Sequence, residues 1–213
     1  MFKDILEARK RAGLLVDAFD EVISMLEKAQ RMFGAAGQAL ASPEDQDDGA
    51  GIDRDDRDIN AGERLVRRLV LQHLNLNPQQ DLSTSLVLVS IVHDVERIGD
   101  YAKSLIELDH WGALDSESAC MEIQTAVAPL FDQVLDALRR EDADTARQVM
   151  RRHEEVKAMT DKALETLMEA GGDRRQGVVD ALALRFLRRT SAHLANVASG
   201  LVNPLDRVGS KEA

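Results

Sequence analysis

Glu96, Asp100 and Ser104 stand four residues apart within Asp94-Val95-Glu96-Arg97-Ile98-Gly99-Asp100-Tyr101-Ala102-Lys103-Ser104-Leu105-Ile106-Glu107. A helix of about 3.6 residues per turn draws such positions into one line. An apolar line, Leu88, Ile91, Val95, Ile98, Ala102 and Leu105, runs beside it in steps of three and four. Carboxylates bordering a buried seam cost free energy unless something satisfies them. A bound cation would do this, and so would water.

The row needs a helix, and the chain supplies several. The spacing predicts a first helix over 3–41, with Leu15, Phe19, Val22, Leu26, Ala29, Phe33, Ala36 and Leu40 as its seam and a bend near Gly13. Residues 42–58 open with Pro43, Gly49 and Gly51 among acids, so their first part is expected to be an exposed loop. Glu44 to Gly49 fails as a calcium loop because Gln46 stands where Asp or Asn is needed. A second helix over 55–76 ends at Asn77-Pro78, since proline disfavours helical geometry in the residue before it. A third covers 81–108, with Asp81 as its expected N-cap. The fourth, 116–140, carries Cys120, Ile123, Val127, Leu130, Val134 and Ala137 on one face, with a kink expected at Pro129. The fifth, 143–170, is closed by Gly171-Gly172, and the sixth, 173–201, stops at Asn203-Pro204. The fold class is all-α.

Composition narrows the function. Aromatics are 3% of the 213 residues, so the core must be aliphatic, and only 4 prolines and little period-two alternation argue against strands. A net charge of −11 repels phosphate backbones, so no nucleic acid is expected as a partner. The lone Cys120 excludes an internal disulfide framework and fits a reducing, cytoplasmic setting. The start, Met-Phe-Lys-Asp-Ile-Leu-Glu, carries acids where a signal peptide is apolar. Leu86 to Val92 is the longest nearly apolar run and falls well short of the about 20 residues of a membrane span.

Six helices in matching order suggest an internal repeat. Laying the third helix on the sixth sets Glu96 to Ser104 against Arg188-Arg189-Thr190-Ser191-Ala192-His193-Leu194-Ala195-Asn196, with only Arg97 and Arg189 coinciding.

The stretch from Asp94 to Glu107 resembles the signature helix of the PhoU family of phosphate-uptake regulators, Leu-Glu-Arg-Ile-Gly-Asp-His-Ala-x-Asn-Ile-Ala-Glu. Glu96, Arg97, Ile98, Gly99, Asp100, Ala102 and Glu107 match; Tyr101 replaces the usual His and Ser104 the usual Asn. Asp56-Arg57-Asp58-Ile59-Asn60-Ala61-Gly62-Glu63 is similar to the preceding-helix pattern, and Glu141-Asp142-Ala143-Asp144-Thr145-Ala146 to the acidic turn opening the fifth helix. The resemblance implies two tandem three-helix bundles, residues 1–110 and a degenerate second copy at 115–205. It implies rows of acids that bind multinuclear iron or other divalent metals. It further implies a cytoplasmic regulator docking on a phosphate transporter, a phosphate-sensing histidine kinase, or both, at the inner face of the membrane through that partner and with no membrane segment of its own. A homodimer and a non-enzymatic role are expected on the same ground.

Under this resemblance Glu96 and Asp100 form one ligand row, and Asp56 with Asn60 a second on the neighbouring helix. Carboxylates suit magnesium, manganese or iron. Arg97 lies one residue off the line and is expected to point elsewhere, into a structural ion pair. In the second copy Arg188 and Ala192 replace the acids of the signature helix, His153 and Lys157 those of its neighbour, and Asn196 is retained. That half is expected to hold no metal cluster, its cations being met by protein carboxylates. Glu107-Leu108-Asp109-His110 spells the Glu-x-x-His of di-iron bundles, but that chemistry needs two copies and there is no second. His110 therefore reads as a helix-end residue, His73 and His93 as packing or surface, and Cys120 as core. No phosphate loop or nucleophile–base pattern stands out. The alternative is a metal-free helical adaptor with a vestigial metal motif, for which the first helix's seam could serve as an interface.

Overall fold

A computed structural model describes residues 13–41, 50–112, 118–169, 171–203 and 208–209. The described chain is helical throughout: α1 (Gly13–Ala41), α2 (Ala50–Leu76), α3 (Leu82–Glu107), α4 (Ala119–Arg140), α5 (Ala143–Glu169) and α6 (Arg174–Val202). A single 3-10 turn, Leu108–His110, follows α3. Helices α1, α2 and α3 pack on one another, as do α4, α5 and α6, giving the two three-helix bundles expected. The bundles lie side by side, with α1 against α4 and α3 against α6.

The three-four seams explain this packing. Leu15, Phe19, Val22, Leu26, Ala29, Phe33 and Ala36 are all buried, so the seam of α1 closes the chain's own core and offers no interface to a partner. The side chain of Leu40, residues 1–12 and the acidic segment 42–49 lie outside the described residues. Phe33 meets Phe131 of α4 with ring centroids 5.1 Å apart, so one apolar core runs through both bundles.

Two helix starts differ from the spacing-based expectation. Helix α2 begins at Ala50, earlier than Asp55, because Gly51 is tolerated in a first turn and Asp53 there complements the helix dipole. Asp81 occupies the N-cap position of α3 but adopts a left-handed conformation (φ 55°) and makes no capping bond. Its carboxylate turns instead toward the buried His73, 3.6 Å away. Asp142 at the head of α5 does cap: it accepts from the Asp144 and Thr145 amides and the Thr145 hydroxyl. Those bonds, led by the Thr145 hydroxyl, hold its carboxyl below the usual range. Helix α4 continues through Pro129.

Two glycines let the helices that carry the site approach. A Cβ on Gly99 would stand 3.0 Å from Ile59 of α2, and one on Gly200 would stand 3.0 Å from Ile91 of α3.

Candidate functional site

Helices α2 and α3 run antiparallel, so Glu63 of α2 faces Glu96 of α3, while Asp56 faces Lys103 about two turns further along. Glu96 is 8% exposed, held at the edge of the seam by Val95 and Ile98 in the core. Burial pushes its carboxyl above the usual range, and the Asp100 charge adds to this while Arg97 opposes it. Its Oε2 is buried with no aligned hydrogen bond, although Arg97 Nε stands 2.9 Å and His93 Nδ1 3.8 Å away. His93 Nδ1 is also 3.4 Å from Glu63 Oε1. One donor atom from each of Glu63, His93 and Glu96 therefore falls within a 4.8 Å cluster.

These three donors fit a single divalent cation. Two carboxylates and an imidazole are ligands shared by manganese, iron and zinc, and the buried Glu96 Oε2, which lacks an aligned hydrogen bond, is the atom such an ion would engage. The wider row fits less well. Lys103 Nζ sits 3.1 Å from Asp56 and 3.4 Å from Asp53, and the hydrogen bond to Asp56 raises its pKa. The Asn60 amide donates to the Asp56 carbonyl at 2.9 Å, and the Ser104 hydroxyl donates to the Asp100 carbonyl at 2.9 Å. Each is thus turned back on its own helix. Arg97 forms the expected ion pair but does not point away from the row: its guanidinium reaches Glu96 at 2.9 Å and Asp100 at 3.2 Å, drawn by two neighbouring carboxylates, one nearly buried. A multinuclear cluster would have to displace both Arg97 and Lys103. One ion at Glu63, His93 and Glu96 competes only with Arg97 and with Arg67, which lies 2.8 Å from Glu63.

Of the four sequence-predicted ligands, Glu96 enters this cluster, Asp100 adjoins it through Arg97, Asp56 lies beyond beside Lys103, and Asn60 is outside the cluster, bonded to the Asp56 carbonyl. His93 and Glu63 complete the group. The signal for His93 was its place three residues before Glu96, on the same helix face; for Glu63 it was the pattern of the preceding helix.

The α5–α6 groove is built alike and charged otherwise. Arg188 pairs with Asp161, Lys157 lies 3.3 Å from Glu154, and His153 Nδ1 is 2.9 Å from the Ser191 hydroxyl. Here Arg188 and Lys157 do meet protein carboxylates. Tyr101, the departure from the signature, leaves the groove altogether: it stacks on His193 at 5.6 Å and meets Phe186 at 5.9 Å in the other bundle. Beside it Asp94 accepts from Asn196 at 2.9 Å and lies 2.7 Å from His193 Nδ1. Cys120 is core as expected, its thiol pushed up to about 12 chiefly by burial. His73 is fully buried, and His110 is exposed at the end of the 3-10 turn after α3.

The PhoU domain model matches residues 22–108 and again 121–201. A curated protein of Synechocystis, described as a phosphate-specific transport system accessory protein PhoU homolog, is 31% identical over 128 residues, covering 56% of each chain. The chain thus matches little more than half the length of that relative. The crystal structure of PhoU from Pseudomonas aeruginosa superposes with a TM-score of 0.76 at 26% identity, covering 89% of this chain and 96% of that one. PhoU from Streptococcus pneumoniae, at 17% identity and a TM-score of 0.75 over 87% and 92%, shares the fold.

Proposed function

This chain belongs to the PhoU family, and on that premise we propose that it regulates phosphate uptake and phosphate-responsive signalling by docking on a phosphate transporter or its sensor kinase. The observation that carries this reading is the family match over both bundles, which leaves no third module to supply another activity within the matched residues. The surface supports docking. Leu71, Leu76, Leu82 and Leu86 are exposed around the α2–α3 turn, an apolar contact on a chain of net charge −11 that suits basic partner surfaces. No described helix is long and apolar enough to cross a membrane, so attachment to a transporter would run through protein contact at its cytoplasmic side. A homodimer would need a face other than the α1 seam.

Within this role the α2–α3 groove holds one divalent cation on Glu63, His93 and Glu96. Glu63, His93 and Glu96 would hold the ion, whose charge would offset the Glu96 carboxylate and tie α2 to α3 beneath the exposed leucines. The metal-free adaptor stays as the second reading because Arg97 and Lys103 already place cations on Glu96, Asp100 and Asp56.

The test of the regulatory role is phosphate uptake and phosphate-responsive transcription in cells lacking the chain. Uptake that stays high in phosphate-replete medium, corrected by the wild-type chain but not by Leu71→Asp/Leu82→Asp, is expected. Unchanged uptake and transcription in the deletion would overturn it.

A further inference from the structure

We propose that the cleft between α5 and α6 binds a phosphoryl oxyanion. The cleft measures about 400 Å³ and is bordered by Arg147, Arg151 and Arg189 over a floor of Met150, Ala192 and Ala195. It occupies the place in the second bundle that the acidic groove occupies in the first, and substitution has uncovered its charge. Arg97 is held by Glu96 and Asp100. Its counterpart Arg189 has Arg188 and Ala192 in place of those acids. Arg188 is taken by Asp161, and Ala192 carries no charge. Arg189 meets no carboxylate among the described residues. It lies 3.4 Å from the Tyr101 hydroxyl and 3.2 Å from His193 Nε2, with its guanidinium over the Tyr101 ring. Arg151 likewise meets no carboxylate among the described residues. Among the described residues Arg147 pairs only with the exposed Asp144, and Glu154, a carboxylate in the lining, is engaged by Lys157.

A concentration of guanidinium groups in a chain of net charge −11 runs against the overall field, so it marks a local preference for anions. Guanidinium forks match the oxygens of a phosphoryl group in pairs, which a monovalent halide cannot exploit. The cleft falls within the range of small-molecule sites, about 300–1,000 Å³. Its rim would suffice for a free phosphate ion, and its methyl-lined floor would also take an organic body that carries the phosphoryl group.

The proposal does not depend on the regulatory role above, and its test uses the whole purified chain. Titration calorimetry would be run with inorganic phosphate, adenosine monophosphate and adenosine, in chelator so that no metal recruits the ligand. Saturable binding of phosphate or of the nucleotide is expected, weakened about tenfold or more by Arg151→Glu, with the melting temperature unchanged because Arg151 is exposed. Arg147→Glu should weaken it less, and Glu154→Gln should tighten it. Nucleotide binding about tenfold tighter than phosphate would identify a phosphorylated small molecule, and equal binding the free ion. Adenosine binding as tightly as its phosphate, no saturable binding of either phosphate, or binding unchanged in both Arg151→Glu and Arg147→Glu would overturn the proposal.

Discussion

The groove between α2 and α3 and the groove between α5 and α6 are built on the same antiparallel helix pair and carry opposite charge. In the first, Glu96 and Asp100 gather Arg97, and Lys103 gathers Asp56. In the second, Arg188 is drawn to Asp161, and Arg189 turns to Tyr101 and His193. The apolar seams specify the bundle, while the groove residues differ between the two halves without changing it. Arg97 and Arg189 are the same residue type at the same place, and their neighbours alone decide what each does.

The largest effects should fall on what the two halves share. Phe33→Ala and Phe131→Ala should each cost about 3–5 kcal/mol, because each leaves a cavity at the junction of the bundles. Both variants should still unfold in one transition, with Trp111 fluorescence and far-ultraviolet circular dichroism coinciding in urea. Two separated transitions would show that the bundles are independent despite their continuous core.

Next come the paired arginines. Arg97→Ala should cost the metal-free protein about 1–3 kcal/mol, since it strips the nearest cation from the nearly buried Glu96. Manganese should recover part of that loss. Arg189→Ala should cost about 1 kcal/mol, through the lost contact with Tyr101, and manganese should recover none of it. Chemical denaturation with and without the ion separates the two. Equal costs and equal responses would erase the difference between the grooves. A smaller effect belongs to Arg188 and Asp161: a double-mutant cycle should give a coupling of up to about 1 kcal/mol, because both side chains are substantially exposed.

The smallest effects are in pH, and two carboxylates should act with opposite sign. Glu96 has a raised folded pKa, so its contribution is present below the unfolded value of 4.5 and is lost as pH rises through the folded value. Glu96→Gln should remove that fall in chelated protein. Asp142 has a lowered folded pKa, so its contribution is present above the unfolded value of 3.8 and is lost as pH falls through the folded value. Asp142→Asn should flatten the acid limb and leave the upper one unchanged.

Much of the fold is legible in the sequence because burial imposes a period. The seam of α1 and the stop at Asn77-Pro78 are local events with local signals. The charge exchange at Arg188 and Ala192 is also readable, since it needs only the repeat. Three features of the site were not. Asp81 looks like a cap, but its left-handed backbone leaves the carboxylate without a capping bond, 3.6 Å from the buried His73 of another helix. Arg97 lies off the acidic line by position, yet its long side chain folds back onto that line. Glu63 and His93 join Glu96 only once α2 and α3 approach across Gly99, a register that spacing along one helix cannot give.

The difference between the grooves is tested most directly by counting bound manganese per chain at saturation, by electron paramagnetic resonance, in the wild type and in two variants. One ion per chain is predicted, abolished by Glu63→Gln/Glu96→Gln and retained in Lys157→Ala/Arg188→Ala. A full ion remaining in the first variant, or one lost only in the second, would contradict a cation site confined to the α2–α3 groove.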